Sequence, residues 1–100
     1  MFAVISKFTV INNNNMTESV KYAFIARPHL VDLAPGFVRL DVLSPLENPD
    51  EIWLLTYWED RASFEVWRAG HYKEVHAMIP AGVKLAQGGT ELTFFEHVTS

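Results

Sequence analysis

Cysteine is absent from this chain of 100 residues, which removes disulfides, thiolate nucleophiles and thiolate metal ligands together. Long apolar runs are missing as well: none approaches the ~20 residues that a membrane-spanning helix needs, so no membrane partner is expected. Basic residues number only eight and are scattered. Without a basic surface able to neutralise several phosphates, nucleic acid is not an expected partner either. No glycine-rich phosphate loop occurs, and Ser6, Ser19, Ser44 and Ser63 lie in no recognisable nucleophile elbow. The N-terminal stretch MFAVISKFTVI carries Lys7 inside it and lacks both a basic leader and a small-residue cleavage site. It does not read as a signal peptide, and the cytoplasm is the expected location.

What is present is apolar and aromatic. Hydrophobic residues make up 49% of the chain, charged residues 20% and aromatic residues 13%, a balance that excludes disorder and argues for a globular fold. The length suits one compact domain over residues 1–100.

Taken in order, Phe2 to Ile11 is rich in β-branched and aromatic residues and reads as a first strand, with Phe2, Val4, Phe8 and Val10 on one side. The asparagines of 12–15 break it. Asn15 followed by Glu18 resembles a capping box, with Thr17 as the competing N-cap, so a helix is expected to start here. Val20, Ala23, Phe24 and Leu30 supply its apolar stripe, Pro28 bends or restarts it, and Ala34-Pro35-Gly36 ends it. Phe37 to Ser44 and Glu51 to Trp58 read as a β-hairpin across a polar turn. Asp60 is the expected N-cap of a second helix, with a break at Gly70. After a Pro- and Gly-containing connection from Pro80 to Gly89, Glu91 to Val98 reads as the last strand.

The order β-α-β-β-α-β predicts an α+β, ferredoxin-like fold: a four-stranded antiparallel sheet with two helices on one face. In the third strand, Ile52, Leu54 and Trp58 point one way while Trp53, Leu55 and Tyr57 point the other, so both faces are apolar. Two helices cover one face only. The other is expected to pack against a second copy, sheet to sheet, as a homodimer.

The stretch from Thr56 to Ile79 concentrates the chemistry. Phe64, Trp67 and His71 follow helical spacing, and Tyr72 stands four residues before His76. Core packing accounts for Phe64, and a histidine on an amphipathic helix is more often filler than ligand. A closed zinc site is excluded, because no paired His or Cys set occurs and His71 and His76 diverge around a regular helix. His29 and His97 read as structural or surface residues. What is left is an apolar, aromatic pocket with one or two imidazoles, lined by Trp58, Phe64, His71 and Tyr72, which suits a large planar ligand.

Three segments carry a family resemblance: R-P-H-L-V-D-L-A-P-G-F (Arg27 to Phe37), W-L-L-T-Y-W (Trp53 to Trp58) and A-S-F-E-V-W-x(8)-H (Ala62 to His76). Over roughly residues 2–80 the chain resembles the antibiotic biosynthesis monooxygenase (ABM) superfamily, whose members pair through their sheets into a dimeric barrel. The last segment is similar to the haem-degrading branch. That resemblance implies Trp67 as the pocket tryptophan and His76, in K-E-V-H, as the axial ligand of haem iron. Ser6 stands where that branch has a distal asparagine. It implies haem as both cofactor and substrate, with an external reductase supplying electrons. Two other functions stay open beside it. One is a cofactor-free monooxygenase acting on a polycyclic phenol or quinol, with His76, His71 and Tyr72 as proton-handling groups between Trp67 and Trp58. The other is a small-molecule-binding or isomerase-like dimer without redox chemistry.

Overall fold

The computed structural model describes residues 1–11, 16–26, 30–77 and 90–100, with side chains described for all of these except 30 and 71–77. Its elements run β1 (Phe2–Thr9), α1 (Met16–Ile25), a 3-10 turn (Leu30–Leu33), β2 (Phe37–Leu43), β3 (Glu51–Trp58), α2 (Arg61–Ala77) and β4 (Glu91–Glu96). The four strands form one antiparallel sheet in the order β2-β3-β1-β4, the ferredoxin-like arrangement that the sequence predicts.

Period-two alternation sets the two faces. Val4, Phe8 and Val10 of the β1 segment and Ile52, Leu54 and Trp58 of β3 are buried on the side that carries both helices. Two clusters divide that side. Phe8, Val10, Ile52 and Leu54 pack with Val20 and Phe24 of α1. Val4 and Trp58 pack with Val31 and with Phe64 of α2, and Phe2, Phe37, Trp67 and Leu92 lean on them.

Several boundaries differ from the sequence expectation. Thr17 is not the N-cap: it lies inside α1, buried, and its hydroxyl donates to Asp50 Oδ1 at 2.8 Å, tying the helix to the β2–β3 turn. Leu30 leaves the stripe of α1 because α1 ends at Ile25 and Leu30 opens a separate 3-10 turn. Gly70 does not break α2, which runs unbroken from Arg61 to Ala77; hydrogen-bonded helix on both sides outweighs the roughly 1 kcal/mol that one interior glycine costs. Strands β1, β2 and β4 are each shorter at the C-terminal end than the apolar pattern predicts, and β2 carries a bulge between Phe37 and Arg39. Asn15, Pro28, His29 and the connection Pro80 to Gly89 lie outside the described residues. Among the described residues no helix is long and apolar enough to cross a membrane.

Candidate functional site

α2 starts where the sequence predicts. Asp60 caps it: the backbone N–H and the hydroxyl of Ser63 both donate to Asp60 Oδ1 at 2.8 Å. The backbone bond first, and the hydroxyl second, hold the Asp60 carboxyl below its usual pKa. The turn before β2 fixes the same helix end from the other side. Gly36 has φ of 82°, its carbonyl accepts the Glu59 N–H at 2.8 Å, and a Cβ placed on it would stand 2.2 Å from Ser63 Oγ. Only glycine permits this approach.

So anchored, α2 lays its aromatic face across Trp58. The Trp58 ring is 5.6 Å from Trp67, 5.8 Å from Phe64 and 5.5 Å from Phe37, centroid to centroid. Phe64 continues the stack to Phe2 at 5.7 Å and Phe94 at 5.9 Å. These separations are those of favourable tilted and edge-on ring pairs. Burial then separates the members. Trp58 has 0% exposure and Phe64 4%, so neither offers surface to a ligand in this protomer, whereas Trp67 is half-buried. The indole N–H of Trp58 donates to Thr56 Oγ1 at 3.0 Å. That of Trp67 has no hydrogen-bond partner among the described residues.

Ser6 lies on the same side of the sheet. It is midway along β1, in register with Leu54 on β3 and Leu92 on β4, between Val4 of one cluster and Phe8 of the other. It is half-buried, and its hydroxyl has no hydrogen-bond partner among the described residues. Ser6 and Trp67 thus share the helix-covered side, next to the Trp58 cluster. His71, Tyr72 and His76 fall within the backbone span of α2, and their side chains lie outside those described. Along an unbroken helix, position 71 is about one turn beyond Trp67 and position 76 about two and a half turns beyond it.

Thr56 is the site residue that sequence reasoning passed over. Alternation along W-L-L-T-Y-W places it on the side of Leu54 and Trp58, but only the fold shows its bond to the Trp58 indole. Among the described residues no group of three or more His, Asp or Glu is placed to hold a metal ion.

The opposite sheet face has its own order. Ile5, Trp53, Leu55 and Tyr57 are half-buried, and Phe95 is 44% exposed. The Lys7 ammonium sits 4.0 Å over the Trp53 ring, whose N–H donates to the Glu51 carboxylate. Arg39 lies over Tyr57 and pairs with Asp41, whose hydrogen bond and charge raise the guanidinium pKa further. His97 meets the edge of Tyr57 at 6.0 Å. Two grooves lie away from Trp67 and Ser6. One of about 690 Å³ runs between α1 and β2, beside Lys21, Phe24 and Leu40; the other, about 510 Å³, lies beside Phe2, Arg61 and Phe94.

The family model described as antibiotic biosynthesis monooxygenase matches residues 1–78. A haem oxygenase (mycobilin-producing) of Mycobacterium tuberculosis is 32% identical over 54 residues, covering 54% of this chain and 51% of that protein. The chain thus spans about half the length of the curated relatives it matches. Among solved structures, the haem degrader MhuD of Mycobacterium tuberculosis, with two haems bound in its active site, superposes with a TM-score of 0.73 at 25% identity over 97% of each chain. SnoaB, a cofactor-independent oxygenase from Streptomyces nogalater, shares the fold with a TM-score of 0.68 at 21% identity, over 99% of this chain and 94% of its own.

Proposed function

The chain belongs to the antibiotic biosynthesis monooxygenase family, and from that premise we propose that it is a haem-binding, haem-degrading monooxygenase working as a homodimer. The observation that carries this reading is Trp67, half-buried against the fully buried Trp58, on the side of the sheet that also holds Ser6, whose hydroxyl has no hydrogen-bond partner among the described residues. The similarity to a haem oxygenase and to a haem degrader supports it.

The described residues fit a flat apolar ligand. Trp67 offers an indole face and an N–H with no partner among the described residues, Leu92 offers apolar surface, and Ser6 offers one hydroxyl in apolar surroundings. On this reading His76 would hold the haem iron and Trp67 would lie against the haem ring. When bound, haem supplies the dioxygen chemistry and is itself the molecule oxidised, with electrons from an external reductase. The protein's own work is placement: α2 holds Trp67 against the ligand face, Ser6 donates a hydrogen bond on the distal side, and the apolar clusters exclude water. The second sheet face, with Ile5, Trp53 and Leu55, packs against the same face of a second copy.

A second reading draws on the same surface. A hydroxyl without a partner among the described residues, on the same side of the sheet as a half-buried indole, also suits an electron-rich phenol or quinol, which reacts with dioxygen unaided once deprotonated, and His76, His71 and Tyr72 would then handle the proton. One experiment separates the two. Hemin added to the purified protein gives a Soret shift that His76→Ala alters, and an unchanged spectrum in that variant overturns the axial assignment. Oxygen uptake with a quinol panel in metal-free buffer, without a hemin response, identifies the cofactor-free enzyme. Inertness in both assays, with a defined ligand in the purified protein, favours a small-molecule-binding or isomerase-like dimer.

A further inference from the structure

Two hydroxyl groups on the helix-covered side of the sheet have protons that no acceptor among the described residues takes. Thr56 Oγ1 accepts the indole N–H of Trp58 at 3.0 Å. That bond occupies a lone pair and fixes the oxygen, since the donor ring is fully buried. The proton of Thr56 remains to be donated, and among the described residues nothing accepts it. Ser6 is in the same condition. Both residues are half-buried, so both can be reached from outside.

The strand register brings them together. Ser6 opposes Leu54 and Val4 opposes Thr56, which makes Ser6 and Thr56 diagonal neighbours on one face. Diagonal pairs across antiparallel strands have Cβ atoms about 7 Å apart or a little less. One compact acceptor between the two side chains can then take a hydrogen bond from each. Supporting the buried Trp58 ring accounts for Thr56 but leaves Ser6 unexplained. A shared ligand atom accounts for both.

We propose that Ser6 and Thr56 form a two-donor cradle for one anionic acceptor atom of the bound ligand, with Thr56 held in place by Trp58. The inference rests on the aromatic-ligand reading above and deepens it. It adds Thr56 as a ligand-binding residue and sets the ligand's chemistry: a flat apolar body carrying, next to Ser6, an electron-rich acceptor. That acceptor is either a phenolate oxygen of an aromatic substrate or a small anion seated on a haem iron.

The test compares wild type, Ser6→Ala, Thr56→Val and Thr56→Ser in two arms. In the first, hemin is titrated and then fluoride, a probe of hydrogen-bond donors at ferric haem. Ser6→Ala and Thr56→Val are expected to bind hemin within about twofold of wild type but fluoride about tenfold more weakly, a loss fitting one charge-assisted hydrogen bond. In the second arm, 1,8-dihydroxyanthraquinone is bound and its phenol titrated by absorbance. The apparent pKa of the bound phenol is expected to rise by about one unit in both variants. Thr56→Ser keeps the hydroxyl and matches wild type in both arms. Ser6→Ala, with no hydrogen bond to lose among the described residues, carries the test if Thr56→Val fails to fold. An effect confined to the fluoride arm places the acceptor at haem, and one confined to the phenol arm identifies a phenolate; either supports the cradle. Wild-type behaviour of Ser6→Ala and Thr56→Val in both arms overturns the cradle and leaves the aromatic-ligand reading standing. A wild-type protein that binds neither hemin nor the phenol overturns both.

Discussion

Gly36 faces Ser63 with no room for a side chain between them: a Cβ on Gly36 would come within 2.5 Å of Ser63 Cβ as well as 2.2 Å of its oxygen. The turn ahead of β2 and the first turn of α2 are therefore in backbone-to-side-chain contact. Two separate penalties attach to Gly36→Ala, the steric one and the left-handed φ of 82°. Together they are expected to cost about 1–3 kcal/mol in urea unfolding. Ser63→Gly in the same background removes the steric part and leaves the backbone part, so a double-mutant cycle should show partial recovery.

Asp60 makes that same helix end sensitive to acid. Its carboxyl titrates below its ordinary value because Ser63 donates to it twice. A depressed folded-state pKa gives stability that is present above the unfolded value, near about 4, and is lost as pH falls through the folded value. Urea midpoints measured from neutral pH downward should decline over that window. Asp60→Asn still caps the helix but removes the titration, and its midpoint curve should be flatter there.

Trp58 and Trp67 touch, yet their substitutions should report different things. Trp58 is fully buried, and Trp58→Ala is expected to cost about 3–5 kcal/mol or prevent folding. Trp67 is half-exposed, so Trp67→Ala should lower stability less and hemin or quinol affinity more. Parallel thermal melts and ligand titrations of the two variants check the contrast; equal loss of affinity and stability in both would remove Trp67 from the ligand surface.

Leu55 lies at the centre of the uncovered sheet face, between Ile5 on β1 and Asp41 on β2. Leu55→Asp places a charge where the proposed homodimer is most apolar. Light scattering at micromolar concentration should show a dimer for the wild type and a monomer for this variant. A wild-type monomer sinks the sheet-to-sheet pairing.

The apolar alternation and the turn residues of the sequence were enough for the order of elements, the hairpin of β2 and β3, and the Asp60 cap, because each is a local property. Thr17 shows where that stops. Its hydroxyl suits a helix cap, but Asp50, thirty-three residues away, competes for it, and only the folded chain brings Asp50 there. Gly70 shows the same limit in a helix, where the turns on either side outvote one residue's preference. For the site, the aromatic spacing in α2 gave only a candidate face, and the resemblance carried by A-S-F-E-V-W-x(8)-H singled out Trp67. What it did not convey is which aromatic ends buried and which exposed, since α2 had first to be set down on Trp58. Thr56 went unnoticed because its importance lies in what its proton lacks, a property of the assembled side of the sheet.

The placement of β1 has a consequence for synthesis. The earliest of the four strands occupies the middle of the sheet, and Phe2 finds its register partners only at Trp58 and Glu96. One edge of β1 can close once β3 has been made, but the edge beside Phe2 and Val4 stays unpaired until Glu91–Glu96 follows. Such long-range closure is slow and exposes an apolar segment to other chains in the meantime.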